Sequence, residues 1–209
     1  MQLTEMTEPD GRKRRALATR RKILEGASRV FLEQGYAGAS MHAMAKEAGV
    51  TQSLLHHHFG SKEGLWAAVR EAGFETVLRE LKPIVSDAAR GPRFPVALFR
   101  AYFDYLREHP DYVRLLGWSY AGAAGGEEVR SGQAAQAVAV IRSYQSTGLI
   151  RETVAPESVL VAVWVLAEGW FLGKAEYRGR IGAETLDDAG YREAVSGMLE
   201  AGLLTEETP

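Results

Sequence analysis

Cysteine is absent from the 209 residues, so no disulfide framework is possible and a reducing compartment suits the chain. Proline occurs only seven times, which leaves long stretches open to helix. The longest uninterrupted apolar run, Val159 to Ala167, falls short of the roughly 20 residues a membrane span needs. The opening Met-Gln-Leu-Thr-Glu lacks the charged-then-apolar order of a secretory signal, and a soluble cytoplasmic protein is expected. Catalytic signatures are also missing: there is no HExxH and no Gly-x-Ser-x-Gly, and of the five histidines only His109 lies outside the stretch from His42 to His58. A non-enzyme is therefore expected, with no cofactor and no metal. The segment Ala121 to Gly126 has neither a preceding strand nor the Gly-Lys-Ser/Thr of a phosphate cradle, so it is expected to be a flexible loop.

Net charge is small, but the charges are segregated. Residues 11–62 hold ten basic and three acidic side chains, net +7, while the rest hold fifteen and twenty-four, net −9. A positive segment beside an acidic body is the footprint of a region that docks on phosphate. The run Arg12, Lys13, Arg14, Arg15, then Arg20, Arg21, Lys22, falls ahead of or at the start of the first expected helix. Cations are disfavoured at a helix N-terminus, so helix stability does not account for them, whereas a flexible arm ordering along DNA does; for residues 1–12 a solvated disordered tail is the preferred reading.

Within that segment, Ser40 to Lys62 reads as two short helices joined by a Gly-containing turn. Ser40 suits an N-cap, Met41, Met44, Ala45 and Ala48 repeat at helical spacing, Gly49 suits a left-handed stop, and Thr51 caps the next helix. Leu55 and Phe59 face inward, leaving Gln52, Ser53, His56 and His57 outward. An ordinary helical hairpin with a polar face has the same periodicity, and the charge segregation favours a groove-reading pair over it. Consecutive helical residues point about 100° apart, so His56, His57 and His58 are not expected to converge on a metal.

Elsewhere the pattern is helical throughout. The first helix is expected over about Ala16 to Gln34, with Ile23, Ala27, Val30 and Phe31 inward. A fourth opens at Ser61 and is interrupted by Pro83, with a short helix to Ala89 beyond it. An aromatic helix follows from Pro95 to Glu108, another from Pro110, and one from Glu127 to about Thr147. The helix opened by Pro156 is apolar nearly all round, and the last, Asp187 to about Leu203, carries Gly197, Ala201 and Gly202, which permit close approach. These two helices packing against symmetry mates would make a four-helix dimer interface, to which Val163, Trp170 and Phe171 are assigned with Tyr191, Ala194, Val195, Met198 and Leu199.

The chain resembles TetR-type (tetracycline-repressor-like) transcriptional regulators. The resemblance is carried by Thr19-Arg20 with Ile23, Ala27 and Phe31-Leu32-Glu33-Gln34-Gly35-Tyr36, by Met44-Ala45-Lys46-Glu47-Ala48-Gly49-Val50-Thr51, and by Leu55 with His58-Phe59-Gly60-Ser61-Lys62-Glu63-Gly64-Leu65. It implies an all-α protein in which a three-helix DNA-binding head with a helix-turn-helix, 16–60, follows a basic arm, 1–15, and precedes a larger ligand-binding and dimerisation domain, 61–209. The family usually has tyrosine where this chain has His56.

The implied partners are double-stranded operator DNA, a small-molecule effector and a second copy of the chain, with no membrane. Gln52 and Ser53 would read base edges, with His42 reaching bases as in some relatives, and Leu54 could offer only apolar contact. Ser40, Thr51, His56, His57 and Lys62 would contact phosphate. The effector would lie among Phe99, Tyr102, Phe103, Trp118, Tyr120, Tyr144 and Trp164, with Glu168 as a polar anchor or, as the preferred reading, paired with a nearby arginine. A helical interaction module using the basic segment to bind an acidic partner is the alternative.

Overall fold

A computed structural model describes residues 9–121, 132–183 and 185–205. Residues 1–8, the side chain of Arg12, most of the Ala121 to Gly126 segment and the expected helix start at Glu127 lie outside the described residues. The described residues hold helices α1 (Pro9–Gly38), α2 (Met41–Glu47), α3 (Gln52–Phe59), α4 (Lys62–Ser86), α5 (Phe94–Glu108), α6 (Pro110–Tyr120), α7 (Gly132–Ser146), α8 (Pro156–Ile181) and α9 (Asp188–Leu203). The all-α expectation holds. Pairing among them is limited to an isolated bridge between Ile150 and Leu204, where the turn before α8 is stitched to the end of α9.

Two boundaries differ from expectation. Helix α1 begins at Pro9, so residues 9–15 are helical and the expected flexible arm is not seen there. Proline is tolerated in a first turn, and the Lys, Arg and Ala that follow are good helix formers. The helix turns aside at Gly35, whose φ of 69° favours glycine, and resumes to Gly38. Helix α4 runs through Pro83 to Ser86 instead of breaking. Pro83 sits in the last turn, where one ladder bond is lost, and buried Leu81 and Val85 on either side keep the segment seated. A 3₁₀ turn, Ala88–Arg93, replaces the expected short helix to Ala89.

The chain divides into two compact units. One contains the described residues up to 73 and 118–121; the other contains 74–117 and the described residues from 132 onward. In the first unit Ile23, Ala27, Val30 and Phe31 of α1 face Met44, Ala45 and Leu55 of α2 and α3 and Leu65, Trp66 and Val69 of α4, all buried. Phe31 meets Trp66 edge to face at 4.8 Å.

The second unit is built on α5 against α8. Helix α5 buries Phe94, Val96, Leu98, Phe99, Phe103 and Leu106, and α8 buries Val159, Leu160, Val163, Ala167 and Trp170. At 26 residues, α8 is by length and composition long and apolar enough to cross a membrane, which its nine-residue apolar run alone did not suggest. Its buried stripe packs within the unit instead, and Glu168 lies buried in its middle.

Candidate nucleic-acid interface

The helix-turn-helix is set by short-range chemistry. Ser40 Oγ accepts from the Ala43 N–H at 3.1 Å and Thr51 Oγ1 from the Leu54 N–H at 3.2 Å, fixing where α2 and α3 begin. Gly49 between them has φ 59°, as expected of the stop. Ser61 Oγ accepts from the Gly64 N–H at 3.2 Å and opens α4. Two close approaches press these elements together: a Cβ on Gly26 would lie 2.9 Å from the Ala48 backbone, and one on Gly64 would lie 2.3 Å from the Phe59 carbonyl oxygen. Only hydrogen fits at either position.

Seated in this way, α3 exposes Gln52, Ser53, His56 and His57, while His42 is exposed on α2. Ser40 and Thr51 are exposed too, and because their oxygens accept as caps, their hydroxyl protons remain to donate. Leu54 and His58 are half-buried. His56, expected on phosphate, has internal partners: its Nδ1 lies 2.8 Å from the Gly60 carbonyl oxygen and its Nε2 lies 3.5 Å from Gln52 Nε2. A proton on Nδ1 donates to Gly60 and leaves Nε2 to accept from the Gln52 amide, so His56 steadies Gln52.

Lys62 is half-buried at the start of α4, with its Nζ 4.6 Å from the Tyr36 ring centre and 3.3 Å from the Ala37 carbonyl oxygen, to which it donates. The Tyr36 hydroxyl donates to Glu63 at 3.2 Å. Burial, and then the Glu63 carboxylate, push the Tyr36 phenol up, so it keeps its proton. Glu63 is held below the ordinary carboxylate value by its own backbone N–H, then by the Ser61 and Tyr36 hydroxyls.

The basic residues of α1 divide by role. Arg29 bonds Glu47 at 2.6 Å and ties α1 to α2, and Arg21 pairs with Glu25 at 2.8 Å. Arg20 lies over the Phe59 ring, 5.6 Å from its centre. Lys22, expected only as part of the basic run, brings Nζ within 3.1 Å of where a Cβ on Gly49 would sit, beside the α2–α3 turn. The signal for it is in the register: Lys22 is four residues before Gly26, whose face meets Ala48.

The residues expected around an effector fall in both units. Trp118 belongs to the first unit, 6.4 Å from Trp66 ring to ring, and Tyr120 is exposed. Both sit at the end of α6, and helical spacing does not specify which unit that end joins. Phe99 and Phe103 are fully buried core, Phe103 packing against Phe171 at 4.8 Å and Tyr191 at 6.0 Å. Tyr144 and Trp164 are half-buried beside the same core. Glu168 accepts a hydrogen bond from the Tyr102 hydroxyl at 2.5 Å. A tyrosine meets the need of a buried carboxylate for a donor as well as an arginine does.

Several residues expected at a dimer face lie inside the chain's own core. Val163, Trp170, Val195 and Leu199 are buried in the core of the second unit. Trp170 stacks on Tyr191 at 4.2 Å and its indole N–H donates to Asp188 at 2.8 Å, while the Tyr191 hydroxyl donates to the Leu166 carbonyl at 2.9 Å. Phe171 is half-buried under Lys174 Nζ, 5.0 Å from its ring centre. These rings fasten α8 to α9 because their polar atoms find partners there. Exposed apolar surface is instead presented by Val161, Val165 and Leu172 on α8 and by Met198, with Ala194, on α9.

Family models match most of this architecture: one for bacterial regulatory proteins of the tetR family over residues 23–69, and one for the tetracyclin repressor-like C-terminal domain over residues 96–200. The chain belongs to the TetR family. As a TetR-family protein it is a ligand-responsive DNA-binding transcriptional regulator, and the acidic-partner alternative is not favoured. It is 29% identical over 157 residues to the HTH-type transcriptional repressor SCO4008 of Streptomyces coelicolor, covering 73% of this chain and 78% of that one. The transcriptional regulator SCO4942 of Streptomyces coelicolor superposes with a TM-score of 0.66 at 24% identity, over 88% of this chain and 98% of that one. FadR of Bacillus subtilis, solved with stearoyl-CoA, superposes with a TM-score of 0.64 at 14% identity, over 87% and 97%. At such identities these TetR-like structures share the fold.

Proposed function

We propose that this regulator is a cytoplasmic repressor that binds a palindromic operator as a homodimer and is released by a small, largely apolar or aromatic effector. The observation that carries the DNA part is the outer face of α3: Gln52 and Ser53 stand exposed in its first turn, with Gln52 steadied by His56, next to a net +7 segment. Gln52 and Ser53 read base edges, His42 reaches the neighbouring bases, and Ser40, Thr51, His57 and Lys62 grip phosphate. The exposed basic side chains of α1, among them Lys13, Arg14 and Arg15, extend that grip as a helix. Recognition helices of a dimer sit about 34 Å apart, one turn of duplex.

Dimerisation uses the outward stripes of α8 and α9. Val161 and Val165 are 50% and 55% exposed and Met198 is 70% exposed, an apolar surface that a second copy would cover. Buried Glu168 and the arginines near the end of α8 fit that partner better than lipid. For the effector, Tyr102 and Glu168 supply a polar anchor beside Tyr144 and Trp164. Long-chain acyl effectors enter as one candidate class, since the similarly folded FadR holds stearoyl-CoA.

The test is recovery of bound fragments from a pool of sheared genomic DNA. A single palindromic motif, released by one compound class in a screen, supports the whole reading. Binding to no duplex, even in dilute buffer, refutes it.

A further inference from the structure

The start of α4 carries a cation where a helix N-terminus disfavours one, and two groups hold it in place. Lys62 Nζ lies over the Tyr36 ring at 4.6 Å and donates to the Ala37 carbonyl at 3.3 Å, while the Tyr36 hydroxyl holds the adjacent Glu63 carboxylate at 3.2 Å. Tyr36 in turn is seated by rings: Phe31 stacks on it at 6.0 Å and Trp66 leans against it at 5.5 Å. Trp66 is fully buried and its indole nitrogen has no hydrogen-bond partner among the described residues, so this seat is made by ring packing. Trp118, at the end of α6, completes it at 6.4 Å from Trp66.

We infer that Tyr36 is a positioning residue for DNA docking: its ring holds the Lys62 ammonium ready for a phosphate, and its hydroxyl keeps the Glu63 carboxylate from competing for that ammonium. The inference rests on Lys62 being a phosphate contact. A lysine ammonium has three donors; Ala37 takes one, the ring face attracts another, and the third is left for the ligand. A long side chain fixed in advance loses less rotamer freedom on binding, and this is the gain from clamping it. Removal of the ring releases Lys62 to swing toward Glu63, where it is neutralised.

The test is a salt titration of binding to a short mixed-sequence duplex by the full-length protein. Lys62→Ala is expected to weaken binding and shrink the salt slope by about one unit. Tyr36→Leu is expected to weaken binding about two- to fivefold and to take most of the same unit from the slope. Tyr36→Phe keeps the ring face but frees the Glu63 carboxylate, and is expected to lose part of the slope, less than Tyr36→Leu loses. In the double variant, Tyr36→Leu adds less than about a factor of two to the loss from Lys62→Ala. A purely structural role for Tyr36 predicts instead an unchanged slope and additive losses, and either result overturns the proposal. If Lys62→Ala leaves the slope unchanged, the phosphate role itself fails and the inference falls with it. A readout that does not depend on how the Leu variant folds comes from the unsubstituted protein. The Lys62 ε-methylene protons should show an upfield ring-current shift that persists when duplex is added, and ordinary lysine shifts would overturn the clamp.

Discussion

Gly26 carries no chemistry, yet the reading head depends on it, because α1 and α2 meet there with the Ala48 backbone 2.9 Å from where a Cβ would stand. Gly26→Ala is expected to destabilise the head by about 1–3 kcal/mol, since backbone cannot yield as a flexible side chain can. A thermal melt measures this, and an unchanged midpoint would refute the close packing. Gln52→Ala belongs to the same scale and has a different signature. It should relax preference at one base position, costing roughly 1–3 kcal/mol of discrimination and leaving the melt unchanged. Selection of binding sites with the variant provides the comparison. His56 is a residue whose position the sequence made plain and whose partners it did not. Its place on the outer face of α3 follows from helical register, whereas its bond to Gly60 depends on the path of the chain beyond the helix.

At the scale of elements, α8 and α9 are joined by a polar clasp laid over a ring stack. Lys174 donates to both Asp188 oxygens, at 2.7 and 3.0 Å, and the Trp170 indole donates to one of them. Burial by itself raises the Asp188 pKa, but the bonds from Lys174 and Trp170 and the Lys174 charge outweigh it, and the carboxyl is held below its ordinary value. A depressed carboxyl stabilises the fold fully above its unfolded pKa, near 3.8, and that stability is lost as pH falls through the lower folded value. Asp188→Asn should therefore lower the melting temperature at neutral pH and flatten its fall between about pH 5 and pH 2. Parallel pH profiles of the two proteins test it, and identical acid limbs would remove Asp188 from the clasp's energetics. Helix α8 also explains why what covers it could not be read from the sequence. An all-round apolar helix announces that something covers every side, and Val163 and Trp170 proved to be covered by the protomer itself.

For the whole molecule, the proposed homodimer makes the coupling of two heads on one duplex the quantity to test. Val165→Asp places a charge at the middle of the exposed α8 stripe, where it touches no protomer core, so the fold should survive. If a second copy covers that stripe, sedimentation will report monomers and operator affinity will drop by about tenfold or more, because the half-sites are no longer linked. Dimers that persist with full affinity would move the interface elsewhere. The unit boundary has meaning at this scale too: α4 and α6 each give residues to both units.

By itself the sequence determined that the chain is helical, where most helices start, which faces of α1 to α3 point inward and which segment carries the positive field. Those properties are local: caps, turn glycines and 3.6-residue spacing act within a few positions of one another. Only the tertiary structure decided that Trp118 joins Trp66, that Glu168 takes its proton donor from Tyr102, and that Trp170 answers to Asp188. Except for the last pair, these partners stand at least fifty positions apart, and none is set by helical spacing. Ring packing and the demand of buried polar atoms for a partner select among many equivalent aromatic and acidic side chains, and that selection is made only when the helices meet.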